Sequence, residues 1–389
     1  MDKIKMLQMI DTYYPTVDGA INVCNSYAEE LNKIATCDLA SASAARADKY
    51  VDSKDFKVIR CAATAAPDKY RYAHPFTDSK FKKQLESGGY DIIHCHSPFS
   101  IGKYAVSLGK KMNIPIVLTL HTKYYSDFFR VTHSKFLSNL MVKYIISTYN
   151  KADSVWTVSN ASMQTLRDYG YKGKIEVIRN GTDYTYPDNP QELIDKINQT
   201  HNLAGKKNVF FFVGRMAMYK NLKLLADALK IVKEAGKDFT MLFVGGGFDL
   251  EEFKKYVFEL GLDDNCIFTG QISDRTLLQG YYLRGDLMLF PSTFDMASIS
   301  KVESAAHKKP SLVIKDSCSA EEVVDGQNGF LCEENAESLA KRICELCDKP
   351  EYLKTVGEEA YKTLYRTWED VAAEVYAKYL EIIENYKKN

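Results

Sequence analysis

The sequence predicts an α/β protein built from two doubly wound, parallel sheet domains, and three observations lead there. Its 389 residues exceed what one hydrophobic core usually serves. Short apolar runs of strand length alternate with amphipathic helical stretches, as crossover connections in a parallel sheet require. Near the middle, at about Asn180 to Asn208, a stretch rich in turn formers interrupts the alternation and marks a boundary.

The elements follow in order. Ile4 to Ile10 is the first strand; Tyr14-Pro15 and Asp18-Gly19 turn the chain, and a helix follows from about Ala20 to Asn32. Further strands are expected at Phe56 to Arg60, Asp91 to Cys95, Ile116 to Leu120, Ser154 to Val158 and Ile175 to Ile178. After the boundary come Val209 to Val213, Phe239 to Val244, Cys266 to Thr269 and Asp286 to Phe290. Residues 130 to 150 read as one basic helix with apolar Phe136, Leu137, Leu140, Met141, Tyr144 and Ile145. Trp368 to Tyr386 reads as a long closing helix.

Composition excludes several classes. Lys plus Arg equals Asp plus Glu at 51 each, so total charge makes no case for nucleic acid. Residues 101 to 150 nonetheless hold seven Lys or Arg against one acid, Asp127, which makes a basic face. Nine cysteines without a spacing framework point to reduced thiols in a cytosol, and Cys344 and Cys347 read as neighbours on a helix. The start, MDKIKMLQMI, has no secretory layout, and no apolar run reaches the roughly 20 residues of a membrane span.

Such sheets bind ligands at the carboxyl ends of their strands, and the chemistry-bearing residues gather there. The stretch FPSTFDMASISKVESAAHKKP, Phe290 to Pro310, runs from a strand end into a helix with Ser298 or Ser300 as N-cap. The amides of such a helix start hold anions. Asp295 and Glu303, eight positions apart, are suited to accept bonds from sugar hydroxyls. Arg215 and Lys220 stand five apart where Val213 gives way to the next helix, a fork and a mobile point charge for a diphosphate. Cations beside a positive helix end are disfavoured unless an anion is present. Gly19 lies at the mouth of the first strand-to-helix turn, where a missing Cβ lets a ligand approach. Gly245-Gly246-Gly247 offers a similar opening without a recognised phosphate spacing. His121, followed by Tyr124, Tyr125 and Phe128, reads as a cleft wall. His94 and His96 share one side of a strand, as a metal pair or as structural residues.

With these pieces placed, the chain resembles the retaining glycosyltransferases of the GT-B fold, family 4, over nearly all its length. YYPTVDGA, DIIHCHSPF, VLTLHT, IRNGTD, FVGRMAMYKN and FDMASISKVESAAHKKP resemble that family's motifs in their order. The resemblance implies a fold of two Rossmann-like domains facing a cleft: residues 1-185 on the acceptor side, 186-365 for the nucleotide-sugar, and 366-389 as a helix packing back on the first. It implies hexosyl transfer with retention from a uridine-based donor to an acceptor hydroxyl, on a membrane glycolipid or an envelope polysaccharide precursor. No cofactor or metal is implied, because Arg215 and Lys220 take the metal's role. By the same resemblance Gly19 admits phosphate and Glu303 binds ribose. Asp295 meets donor-sugar hydroxyls, Ala297, Ser298 and Ile299 offer backbone amides, and His121 lies beside the reacting sugar. The partners implied are the donor and a hydroxyl acceptor, with peripheral contact at the inner face of the cell membrane through the basic first domain.

The sequence departs from the family at three places. Asp295 replaces a Glu and is about 1.5 Å shorter in reach; Met296 and Ser298 replace glycines, and Lys308 replaces a glycine before Pro310. Two other readings therefore stay open: a nucleotide-sugar epimerase of the same fold, and a weakly active or inactive homologue that binds nucleotide or a partner.

Overall fold

The computed structural model describes residues 3–45, 50–52, 55–66 and 70–388. The chain divides into two units, Met1–Asn180 together with Trp368–Asn389, and Gly181–Thr367. The first boundary lies five residues before the one expected at 185. The closing helix, Trp368–Lys388, belongs with the first unit.

The first unit is a parallel sheet of seven strands: β1 (Lys5–Ile10), β2 (Thr36–Ala42), β3 (Val58–Cys61), β6 (Ile92–Cys95), β7 (Ile116–Leu120), β8 (Ser154–Thr157) and β9 (Glu176–Val177). Their spatial order is β3-β2-β1-β6-β7-β8-β9; β4 (Ala63–Ala65) and β5 (Arg71–Ala73) form a separate antiparallel pair. Helices cover both faces, so the central strands are buried on both sides and read as continuous apolar runs such as IVLTL. Strand β2 was not expected. Its sequence, TCDLASA, is buried almost throughout yet carries small and polar residues, which weakens the hydrophobic signal. Asp38 within it accepts the hydroxyl of Tyr90 at 2.8 Å, which satisfies the buried carboxylate.

The second unit is a parallel sheet of six, β10 (Val209–Val213), β11 (Thr240–Val244), β12 (Cys266–Gly270), β13 (Leu287–Phe290), β14 (Ser311–Ile314) and β15 (Phe330–Cys332), in the order β12-β11-β10-β13-β14-β15. Strands β14 and β15, only four and three residues long, were also unexpected. The core around these strands is heavily aromatic: Phe210, Phe211, Phe212 and Phe243 are fully buried. In each sheet the strand order reverses at one place, between β1 and β6 and between β10 and β13. A doubly wound sheet opens a crevice at its reversal point, so these two places are where ligands are to be sought.

Residues 130 to 150 are not the single helix expected. His133 adopts a left-handed conformation (φ 50°) and ends the helix Tyr124–Thr132, and Ser134 caps a second helix, Lys135–Tyr149. The break turns the apolar residues of the second helix in two directions. Ser138, Val142, Ile145, Ile146 and Tyr149 pack inward, while Phe136 (76% exposed), Leu140 (55%) and Tyr144 (50%) face out.

Candidate functional site

In the second unit the reversal point is formed by the loops after β10 and β13, which carry the predicted residues. Strand β10 ends at Val213, and the loop Gly214 to Ala217 leads through a short 3₁₀ turn, Met218–Lys220, into the helix Leu222–Glu234. The glycine triplet after β11 has a different role from the one expected. The chain at Gly245 lies at φ 140°, and a Cβ there would fall 2.0 Å from the carbonyl oxygen of Gly214. A Cβ at Gly247 would fall 2.1 Å from that of Met216. Both glycines admit the chain's own backbone, and Met216 N–H donates to the carbonyl of Gly246 at 2.9 Å. The triplet is the bed on which the Arg215 loop lies.

Arg215 is exposed on that loop. Lys220, five positions on, is directed back to the loop after β13, where its ammonium meets both carboxylate oxygens of Asp295 at 2.8 and 3.1 Å. Ser292 donates a short hydrogen bond to the same carboxylate. Asn221, left-handed at φ 58°, bridges the same two loops: its amide donates to the carbonyl of Pro291 at 3.1 Å and to Glu334 at 2.7 Å. The predicted diphosphate cation and the predicted sugar-binding acid are therefore one ion pair. Sequence spacing gave no sign of it, because the partners lie 75 positions apart.

Ser298 is the N-cap of the helix Ile299–Ala306, its hydroxyl accepting from Lys301 N–H at 3.2 Å; Ser300 lies inside the helix. The amides of Ile299 and Ser300 have no acceptor within the helix, a consequence of helix geometry. Glu303 is only 9% exposed. Its carboxylate accepts the hydroxyl of Tyr282 at 2.6 Å, and Arg275 stands 4.0 Å away. Burial raises its pKa, partly offset by the Tyr282 bond and by Arg275. Arg275 also meets Asp183 at 3.3 Å and lies over the Tyr184 ring, so Tyr282 and Arg275 frame Glu303 although sequence reading missed both. Lys301, on the same helix, is buried and satisfied by the carbonyls of Ser319 and Glu321 at 3.0 and 2.8 Å.

In the first unit Gly19 is the first residue of the helix Gly19–Ile34, whose N-cap Asp18 accepts from Ile21 N–H at 2.8 Å. A Cβ on Gly19 would meet nothing within 4 Å, so packing does not demand the glycine. His121 follows β7 and bonds His96 at 2.9 Å between Nε2 and Nδ1. Burial pushes its pKa down to about 3, so it is neutral at physiological pH. His94 and His96 have both ring nitrogens engaged. His94 meets Tyr379 and Thr119 at 2.5 and 2.6 Å, and His96 meets His121 and Gln8 at 2.9 and 2.8 Å. Of the two readings of this pair, the geometry supports the structural one: no lone pair remains for a metal.

Two family models match the chain. One described as Glycosyltransferase Family 4 covers residues 17–186, and one described as Glycosyl transferases group 1 covers 193–363. Among curated proteins, an alpha-monoglucosyldiacylglycerol synthase of Acholeplasma laidlawii is 24% identical, over 97% of each chain. The alpha-monoglucosyldiacylglycerol synthase of Streptococcus pneumoniae is 26% identical, over 77% of this chain and 68% of its own. Among solved structures, a glycosyltransferase of Rickettsia africae superposes with a TM-score of 0.77 at 22% identity, covering 99% and 100% of the two chains. HepE of Anabaena, solved with UDP and glucose, gives 0.76 at 19% identity, covering 97% and 99%.

Proposed function

For a chain that belongs to the family 4 glycosyltransferases of GT-B fold, we propose transfer of a hexose, with retention, from a UDP-sugar to a hydroxyl of a membrane glycolipid. The observation that carries the donor assignment is the Lys220–Asp295 pair at the reversal point of the second sheet, beside the start of the helix Ile299–Ala306. An ammonium held by a carboxylate is an anion site closed by an internal anion. An arriving diphosphate replaces that partner, and Asp295 is released to accept from sugar hydroxyls. Arg215 supplies a planar fork to the same diphosphate, and the amides of Ala297, Ser298 and Ile299 face phosphate or sugar. Glu303, framed by Tyr282 and Arg275, accepts the ribose hydroxyls.

The sugar's anomeric carbon loses its bond to the diphosphate oxygen and gains one to the acceptor oxygen on the same face. The acceptor's proton passes to the departing diphosphate. Negative charge grows on that group as the bond breaks, and Arg215, Lys220 and the helix start are aimed at it, so they lower the barrier more than they strengthen ground-state binding. Two fixed positive charges there make a metal ion unnecessary. For the first unit, the family resemblance assigns Gly19 to phosphate and His121 to the reacting sugar.

The lipid acceptor is supported by two observations. Residues 101 to 150 carry a net positive charge, and the helix Lys135–Tyr149 presents Phe136, Leu137, Leu140, Met141 and Tyr144 to solvent beside Lys135 and Lys143. Lys103 Nζ lies 3.2 Å from the centroid of the Tyr144 ring, which sets a cation against the apolar face. Apolar residues beside cations suit an anionic lipid surface. Two relatives of this chain are named diacylglycerol glycolipid synthases. Among the described residues no helix is long and apolar enough to cross a membrane, so the contact proposed is peripheral.

The test is incubation with a panel of nucleotide-sugars and liposomes carrying diacylglycerol or glucosyl-diacylglycerol. Released UDP and an α-linked glycolipid product are expected. Binding of UDP with neither hydrolysis nor transfer would leave the inactive homologue as the better reading, and conversion of UDP-N-acetylglucosamine without acceptor the epimerase.

A further inference from the structure

A buried chain of polar side chains in the first unit reaches His121 from the C-terminal helix, and its hydrogen bonds carry a direction. The Gln8 carbonyl oxygen lies 2.8 Å from His96 Nε2, and its amide nitrogen 3.1 Å from the Tyr379 hydroxyl. A carbonyl only accepts, so His96 Nε2 bears the proton. A neutral imidazole has one N–H, so His96 Nδ1 is a lone pair. His121 Nε2, 2.9 Å away, must therefore be the donor. The other branch closes consistently. Gln8 donates to the Tyr379 oxygen, the Tyr379 hydroxyl donates to His94 Nδ1 at 2.5 Å, and His94 Nε2–H donates to Thr119 at 2.6 Å. Gln8, His94 and His96 are at most 1% exposed, and Tyr379 is fully buried.

We propose that Gln8, His96 and Tyr379 are positioning residues that hold His121 as its Nε2–H tautomer, so that Nδ1 is offered as a hydrogen-bond acceptor to a hydroxyl. Among the described residues no hydrogen bond is made to that Nδ1. A histidine in this state accepts from a sugar or acceptor O–H and cannot donate to a phosphate or an ether oxygen. Its lowered basicity, caused by burial, keeps it from becoming the cation that would donate from both nitrogens. Trp156 stacks on Tyr379 with ring centroids 5.7 Å apart, and Tyr27 meets both His94 and His96 edge-on, so the rings have little freedom to turn. The tautomer follows from unit-one geometry alone; what Nδ1 meets rests on the glycosyltransferase reading. Of Gln8, His94, His96, Tyr379 and His121, the family resemblance assigns a role to His121 alone.

The test uses the full chain with ¹⁵N-labelled histidine and long-range ¹H–¹⁵N correlation at pH 7, the His121 ring assigned by its loss in His121→Gln. The proton is expected on Nε2; a proton on Nδ1 means the chain runs the opposite way and overturns the proposal. In Gln8→Leu the Nε2–H preference of His121 is expected to disappear and kcat to fall about 10- to 100-fold, as for a misplaced reacting group. Donor KM should stay within a factor of about two if the loss is one of orientation. Tyr379→Phe, which keeps the ring and its packing, should shift both readouts the same way by less, and it serves if Gln8→Leu does not fold. An unchanged tautomer in a folded variant, or a shifted tautomer with unchanged kcat, overturns the positioning role. If the wild-type chain transfers no sugar, the tautomer measurement still decides the polarity, and only the assignment of the hydroxyl falls.

Discussion

At the scale of single residues, the pairing of Lys220 with Asp295 changes what each is expected to do. Asp295 was expected to meet sugar, and its shorter side chain put that contact in question; the structure gives the carboxylate a partner within reach of that length. Asp295→Asn removes the internal anion and leaves Lys220 to the diphosphate. UDP should bind several-fold more tightly by calorimetry while kcat falls, because the amide binds sugar hydroxyls less well in the transition state. Weaker UDP binding in this variant would show that the pair organises the site rather than closing it. Arg215 lies exposed and outside the packed core. Arg215→Ala should cut turnover about 10²- to 10³-fold, the usual loss of one preorganised donor to developing charge. Its unfolding free energy should move by no more than ~0.5 kcal/mol, as for surface changes. Wild-type turnover in that variant would remove Arg215 from the machinery.

At the scale of elements, the helix Lys135–Tyr149 has two apolar faces, and only one of them is covered within the unit. The sequence showed the apolar residues and the cations but not which residues pack. Periodicity cannot distinguish a face buried by its own chain from one left for a lipid surface, and the left-handed residue His133, which sets the helix direction, has no distinctive signal. Phe136→Glu with Leu140→Glu should abolish flotation with anionic liposomes and leave the melting temperature close to wild type, since both side chains are mostly exposed. Retained flotation would move the membrane contact elsewhere. The Arg215 loop makes a related point about elements. The glycine triplet that reads as room for a nucleotide is filled by the loop's own carbonyls, a contact between segments about 30 residues apart.

At the scale of the whole molecule, buried histidines make stability depend on pH. His94 and His96 are held well below their ordinary pKa by burial, and His307 is pushed down to about 4 for the same reason. These groups are neutral when folded but take up protons when unfolded, so their contribution is complete above pH ~6.5 and is lost as pH falls toward the folded values. Each costs about 1.4 kcal/mol per pH unit across that window. Asp11 and Glu303, raised by burial, act oppositely in the window just above their ordinary values and soften the fall. Urea midpoints should drop clearly from pH 7 to pH 5. An unchanged midpoint would mean that these imidazoles titrate normally in the folded chain.

The fold class, the two-domain plan and the positions of Arg215, Lys220, Asp295 and Glu303 on loops and a helix start were legible in the sequence, because apolar periodicity and punctuation by Gly and Pro are local. Strands β2, β14 and β15 were missed because burial from both sides lets small, polar or very short segments join a sheet without a strong hydrophobic run. Only the tertiary structure decided which polar groups meet: Lys220 with Asp295, Tyr282 and Arg275 with Glu303, and Gln8, His96 and Tyr379 with His121. Each of these partnerships spans from 21 to several hundred positions of chain. Hydrogen bonds and ion pairs act over a few ångströms of space, and the order of residues fixes that distance only once the sheets have formed.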